Sequence, residues 1–287
     1  MDSVELLKKV RKIEIRTRKI TQQIFSGQYH SAFKGRGMAF SEVREYQYGD
    51  DIRNIDWNVT ARFNHPYVKI FEEERELTVM LLIDVSGSNL FGTVQRQKSE
   101  LITELAAVLS FSAIANNDKV GVIFFSNRVE KFIPPNKGRS HILRIIRELV
   151  DYKPQEVQTN ISESLRYLTN AIKKKCTCFI ISDFVNDDFE QALKIASNKH
   201  DIVALHVIDP NDGKLPEVGV IQMRDPETGK LNFVDTASKE VRRVYQAWWD
   251  MQYLNCNEQF RRSGVDSTQL FTHLDYVKSL KMLFKRR

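Results

Sequence analysis

Two short runs, VMLLID (Val79–Asp84) and TCFIIS (Thr177–Ser182), are apolar at nearly every position. A strand with one face in water alternates apolar and polar residues, so an unbroken run implies a strand covered by helices on both sides. That requirement admits little besides an α/β sheet with crossover helices. The neighbouring segments agree, since apolar runs of strand length alternate with helical patterns from Thr78 onward. TVMLLIDVS is expected to be a strand, RQKSELITELAAVLSFSAIANN a long helix, KVGVIFFSN a strand and RVEKFIPP its antiparallel neighbour. SHILRIIRELVD and NISESLRYLTNAIKK read as helices, followed by the strand CTCFIISDF, the helix DFEQALKIASNKH and the strand DIVALHVID. The middle of the chain is therefore a doubly wound, mainly parallel α/β domain.

At 287 residues and 33.4 kDa, the chain has room for this domain and for extensions on either side. Four segments are expected. Residues 1–27 form a basic amphipathic helix, 28–77 a β-rich, highly charged elaboration, 78–237 the α/β domain, and 238–287 C-terminal helices packed on it. Within the second segment, glycines and prolines argue for short strands and turns, with ion pairs among Arg44, Glu45, Asp50, Arg53, Asp56 and Arg62. After Pro210, GVIQMRDPETGKLNFVDT reads as a hairpin around DPETGK that could extend one edge of the sheet. No run of about 18 apolar residues suggests a membrane span. The first residues also lack the apolar stretch of a secretory signal, so a cytoplasmic location is the default.

The formal net charge of +6 resides at the N-terminus: residues 1–36 hold nine Lys/Arg and three Asp/Glu, and the remainder is balanced. Leu6, Val10, Ile13, Thr17, Ile20 and Ile24 recur at helical spacing, making one stripe of a helix whose other faces are basic. Such a helix either packs its stripe on its own domain or meets an acidic partner, a membrane surface or a nucleic acid. Cys176 and Cys178 lie two apart in a strand and so share a face without disulfide geometry, which makes them reduced core residues.

In an open α/β sheet, ligands bind just beyond the carboxyl ends of the strands. Asp84, Ser86 and Ser88 occupy that edge for the first central strand, and Asp183 occupies it for a later one. Two carboxylates in one crevice repel unless a proton or cation lies between them. With serine hydroxyls beside them the donor set is all oxygen, which favours a hard cation such as Mg²⁺ or Ca²⁺ over zinc or copper. Thr159, in QTNISESL at the start of a helix, is placed to supply a further oxygen. Taken singly, each of these residues could instead cap a helix or turn.

Asp-x-Ser-x-Ser, a threonine in a later loop and an aspartate ending a later strand together resemble the metal-ion-dependent adhesion site of von Willebrand factor A domains. The resemblance implies a divalent cation, usually Mg²⁺ and alternatively Ca²⁺ or Mn²⁺, held by Asp84, Ser86, Ser88, Thr159 and Asp183. It also implies a protein partner whose acidic side chain completes the coordination. Two positions depart from that pattern: VQTN lacks the glycines before the threonine, and Phe184 stands where many members have glycine. A narrower resemblance spans nearly the whole chain. GRGMAFSEVREYQYGDDIRNIDWNVTAR, FEEERE, NDKVGVIFFSN and IPPNKGRSHILRIIREL are similar to the bacterial domain-of-unknown-function 58 family. That family implies a von Willebrand factor A-like protein acting with a MoxR-type AAA+ ATPase in chaperone-like or maturation roles.

The alternatives are a metal-dependent hydrolase and a nucleic-acid binder. No second aspartate follows Asp84 at two residues, and neither H-E-x-x-H nor a Walker A motif is present. VSGS is not a nucleophile elbow, and no nucleic-acid recognition motif accompanies the basic helix. The sequence therefore favours a non-enzymatic, metal-dependent protein-binding module.

Overall fold

The computed structural model describes residues 10–17, 20–21, 38–73, 77–90, 96–152, 158–185, 188–224 and 231–287. Leu6 and Ile24 of the expected stripe, and the DPETGK turn, lie outside the described residues. The chain divides into two compact units, one of Lys34–Leu77 and one of Met1–Phe33 with Thr78–Arg287.

In the smaller unit, β1 (Met38–Glu45) pairs antiparallel with β2 (Tyr67–Glu73), with an irregular register between Phe40 and Glu42. Between them lies the short helix α1 (Trp57–Phe63), which ends at Asn64 in a left-handed conformation. Asp56 caps it, its carboxylate accepting from the amides of Asn58 and Val59 at 3.0 and 3.2 Å. The expected ion-pair network is smaller than the composition suggested. Arg44 grips Asp50 through two bonds of 2.9 and 2.8 Å, whereas Arg53 pairs with Asp51 and Asp56 with Lys69. Asp56 is drawn off because a cap satisfies backbone donors that no distant arginine can.

The larger unit is built on a six-stranded sheet in the order β10-β7-β6-β3-β4-β5. Its strands are β3 (Thr78–Asp84), β4 (Lys119–Phe125), β5 (Val129–Asn136), β6 (Thr177–Ser182), β7 (Asp201–Ile208) and β10 (Asp266–Phe271). All neighbours are parallel except β5, which runs antiparallel to β4 at the edge. Both unbroken apolar runs are central: every residue of β6 and all but Thr78 of β3 are buried. Met80, Leu82, Cys178 and Ile180 face one core cluster. By the two-residue period of a strand, Leu81, Ile83 and Phe179 face the opposite side.

Helices cover both faces. On the first lie α4 (Ile161–Ala171), α5 (Glu190–Lys199) and part of α6 (Lys239–Arg262), contributing Leu165, Leu168, Leu193, Cys256 and Phe260 to the cluster. On the second, α2 (Lys98–Ala115) packs on β3, β4, β7 and α3 (Arg139–Asp151), and Phe284 of α7 (Tyr276–Arg286) meets Phe179 edge-on at 6.3 Å. α2 is buried without a break from Leu101 to Ala113, so it needs cover on its outer side. Residues 10–17 are helical, with Val10, Glu14 and Thr17 buried. Arg16 bonds Glu104 of α2 at 2.8 Å, and Glu14 bonds Arg139 of α3. The described part of the N-terminal helix thus lies against α2 and α3, with Val10 and Thr17 of the stripe buried and Ile13 and Ile20 half-buried.

Two expectations about the C-terminal part are corrected. The hairpin of β8 (Val220–Arg224) and β9 (Leu231–Asp235) forms a separate two-stranded sheet and does not extend the main one. The edge beside β7 is taken instead by β10, from a tail that reads as wholly helical. DSTQLF has one fully buried residue, Leu270, so a half-exposed edge strand there leaves almost no apolar signal. All three cysteines are free and buried. None of the described helices is long and apolar enough to cross a membrane.

Candidate metal centre

β3 is paired along both sides by parallel strands, so the chain can leave the sheet only past its carboxyl end. Val85 takes the last ladder bond, its amide donating to the Phe125 carbonyl at 2.9 Å. The chain then turns on itself: the Ser86 amide donates to Asp84 Oδ1 at 2.9 Å, an aspartate-led turn of the kind short polar side chains favour. A single turn of 3₁₀ helix, Gly87–Leu90, follows. It brings the Ser86 and Ser88 hydroxyls within 3.1 Å of each other. Asp84, Ser86 and Ser88 are all buried.

From the adjacent strand, Ser182 and Asp183 reach the same place. The Ser182 hydroxyl donates to Asp84 Oδ2 and accepts from the Phe184 amide at 3.0 Å, so one side chain fastens the two loops together. Ser88 hydrogen-bonds to the Asp183 carboxylate. Four of the expected residues, Asp84, Ser86, Ser88 and Asp183, therefore form one bonded group at the carboxyl edge. Thr159 is buried in the loop before α4, and that loop is pinned to the same edge where the Asn160 amide donates to the Ser126 carbonyl at 2.8 Å, just past the end of β4.

Asp84 and Asp183 each cap their own turn, Asp183 Oδ1 accepting from the Val185 amide at 3.3 Å as Asp84 Oδ1 does from Ser86, but the helix-capping roles open to these residues fall elsewhere. Asn160, not Thr159, caps α4 by accepting from the Glu163 amide at 3.0 Å. Near the start of α5, Asp188 and not Asp183 accepts from the Glu190 amide, at 2.9 Å. α2 begins after Gln97 with no side-chain cap, so neither serine serves it.

Burial, then the nearby Asp183 charge, push the Asp84 carboxyl up to about 6. Asp183 moves the other way: burial raises it, but the Lys98 ammonium, with the Ser88 hydroxyl and the Val185 amide, more than offsets burial and holds it below the usual carboxylate range. A buried oxygen-only group with one carboxylate destabilised by another fits a hard divalent cation, which would relieve the repulsion. No group of three or more His, Cys, Asp or Glu side chains arranged to hold a metal occurs among the described residues, so such a cation would depend on the hydroxyls.

The structure adds residues that the sequence reading left out. Lys98, the first residue of α2, places its ammonium 3.1 Å from Asp183 Oδ2 and 2.9 Å from Asp212 Oδ1. Asp212 also accepts from the Asp209 amide at 2.7 Å, and Asp209 accepts from the Thr272 hydroxyl at 2.9 Å. Arg96 bonds the Thr272 carbonyl at 2.8 Å and Glu104 at 2.7 Å, fixing the start of α2. One signal was available for Lys98, because a lysine in the first turn of a helix opposes the helix dipole and calls for a reason.

Phe184 shows how the departure from glycine is absorbed. Its φ is +51°, the left-handed region where glycine is at ease and a bulky side chain is strained by about 1–2 kcal/mol. The ring is buried against Phe260 at 4.9 Å, His206 at 5.5 Å and Phe189 at 5.9 Å. Packing thus holds the backbone in the shape a glycine would give. His206, opposite Ser182 in the register of β7, is pushed down to about 4, chiefly by burial.

Comparison with known proteins places these features in a wider set. The chain is 29% identical over 232 residues to Uncharacterized protein Mb1516 of Mycobacterium bovis, an alignment covering 80% of this chain and 73% of that one. Among solved structures, it is similar to the conserved hypothetical protein BatB from Bacteroides thetaiotaomicron, with a TM-score of 0.50 and 18% identity over 73% of this chain and 98% of that one. An aerotolerance-related membrane protein from Bacteroides fragilis is similar to the same degree, with a TM-score of 0.51 and 18% identity over 74% of this chain and all of the other. These likenesses are of fold alone, a mainly parallel α/β sheet covered by helices. Residues 42–252 match the family described as Protein of unknown function DUF58, and the chain belongs to that family.

Proposed function

We propose that the chain is a non-enzymatic protein-binding module that holds a divalent cation, Mg²⁺ before Ca²⁺ or Mn²⁺, through Asp84, Ser86, Ser88, Thr159 and Asp183. The observation that carries this is the meeting of two buried carboxylates from different strands with two hydroxyls 3.1 Å apart at one sheet edge. When bound, the cation supplies an electrophilic centre for an acidic side chain of the partner. The serine and threonine hydroxyls are neutral donors, so they neutralise the cation less than carboxylate ligands would and leave it better able to draw an anionic ligand from outside. Ser182 holds the Asp84 and Asp183 loops in register, and the buried phenylalanines beneath keep that geometry fixed. The family resemblance suggests a MoxR-type AAA+ ATPase as partner, in a chaperone-like or maturation role and in the cytoplasm.

Hydrolysis would need a general base or nucleophile beside the cation, and His206 is buried against Phe184, bonded to the Asp183 backbone and made a weak base by its burial. Nucleic-acid binding through the first helix is disfavoured by Arg16, which is engaged with Glu104, and by the burial of Val10 and Thr17 on that helix. The test is capture of the ATPase on the immobilised chain in Mg²⁺ and in EDTA, with a Ser86→Ala/Ser88→Ala variant alongside. Capture in Mg²⁺ that disappears in EDTA and in the variant is expected. Equal capture under all three conditions would count decisively against a metal bridge.

A further inference from the structure

We propose that Lys98 is a tethered counter-cation that keeps the centre's own affinity for a divalent ion low and couples its occupancy to the loop carrying Asp209, Asp212 and Gly213. The inference rests on the reading of the centre as a divalent-ion site and adds a determinant that the adhesion-site pattern does not contain.

The ammonium stands between Asp183 and Asp212, at 3.1 and 2.9 Å, and the three side chains are only 3%, 1% and 5% exposed. It therefore cannot swing into water when another cation arrives. Burial also strips these charges of solvent screening, so each one acts strongly on its neighbours. Asp183 and Asp212 face the one ammonium and Asp84 lies close enough to Asp183 to feel its charge, so three carboxylates share one cation and leave a deficit that one divalent ion fills. Without the lysine the same pocket would carry one more negative charge and hold the ion more tightly. An incoming ion competes with Lys98 for Asp183 and shifts the ammonium's share toward Asp212.

That shift has a place to go. Asp212 Oδ2 accepts from the Asp209 amide at 2.7 Å, and the Asp212 carbonyl accepts from the Tyr245 hydroxyl of α6 at 2.9 Å. The next residue, Gly213, lies so close under Trp249 that an added Cβ would sit 2.5 Å from the indole Cδ1. Movement of Asp212 is thereby passed to an indole on α6, away from the centre.

The test uses the full chain stripped with EDTA and titrated with Mg²⁺ by calorimetry and by tryptophan emission. Lys98→Met is expected to bind Mg²⁺ about tenfold tighter or more, the scale of one unit charge acting over a few Å at intermediate dielectric. Lys98→Arg should stay near wild type. Asp212→Asn, which removes one negative charge and turns the ammonium more fully toward Asp183, should bind severalfold more weakly. It also serves if Lys98→Met fails to fold. Mg²⁺ should change wild-type emission, and the change should vanish in Trp249→Phe. Mg²⁺ affinity in Lys98→Met and Asp212→Asn equal to that of wild type would overturn the role given to Lys98 while leaving the divalent-ion reading standing. Absence of Mg²⁺ uptake in every form would overturn that reading and this inference with it.

Discussion

Replacing Asp84 by Asn removes a buried charge that the fold disfavours. In the folded chain its carboxyl titrates at about 6, against ~3.9 in an unfolded chain. Between these values the folded state binds more protons than the unfolded one, so this group's contribution to stability falls as pH rises from about 4 to 6. Above that window, the ionised carboxylate costs the metal-free fold about 3 kcal/mol. The Asn variant keeps an oxygen for the Ser86 amide, the bond that Asp84 Oδ1 makes at 2.9 Å. Urea unfolding in EDTA should therefore find Asp84→Asn more stable than wild type by up to about 3 kcal/mol at pH 7.5. The two should converge near pH 4. Saturating Mg²⁺ should stabilise wild type far more than the variant and narrow or reverse the gap. The comparison is made between two proteins at each pH, so titrating groups remote from Asp84 cancel; Asp183 does not, because its charge acts on Asp84, and loss of the Asp84 charge favours its ionisation in the same direction. A variant clearly less stable than wild type in EDTA at pH 7.5 would refute the claim that Asp84 is a strained, charge-seeking carboxylate.

Three further outcomes are expected. His206, held down at about 4 mainly by burial, binds fewer protons folded than unfolded, so it withdraws stability as pH falls from about 6.5 toward 4; thermal unfolding of His206→Phe should show a shallower acid loss than wild type. Phe184→Gly relieves the positive φ but deletes a ring packed on Phe260 and Phe189, so a net loss of about 2–4 kcal/mol is expected from chemical denaturation, and a gain would show that strain outweighs packing there. Arg139→Ala leaves Glu14 buried without its guanidinium partner, so hydrogen exchange should quicken over residues 10–17 while β3 and β6 stay protected.

The sheet was legible because its central strands are apolar at every turn of the pleat: VMLLID and TCFIIS have no other place to go than between two layers of helices. Asp84, Ser86, Ser88 and Asp183 were legible for a related reason, as polar residues that end such strands must lie at the carboxyl edge. β10 was not, because Asp266, Ser267, Thr268 and Gln269 sit at a sheet edge where polar side chains are tolerated and pairing is decided by β7. Nor was the separate status of the β8–β9 hairpin, since a strand pattern says nothing about which sheet it joins. Lys98 and Asp212 escaped because their meeting is tertiary. A lysine opening a helix and an aspartate in a DPNDGK turn acquire meaning only once the fold brings both to Asp183. Thr159 lies between these cases, with its loop at the expected edge and its role as a ligand resting on the resemblance.

The most direct measurement is a crystal structure grown with Mn²⁺ in place of Mg²⁺, read by anomalous scattering. A single metal peak enclosed by the Ser86, Ser88 and Thr159 hydroxyls, with Asp84 and Asp183 beside it and one side open to solvent or to a neighbour's carboxylate, is the expected result. No peak at that edge, or a peak held without the two serines, would contradict the account.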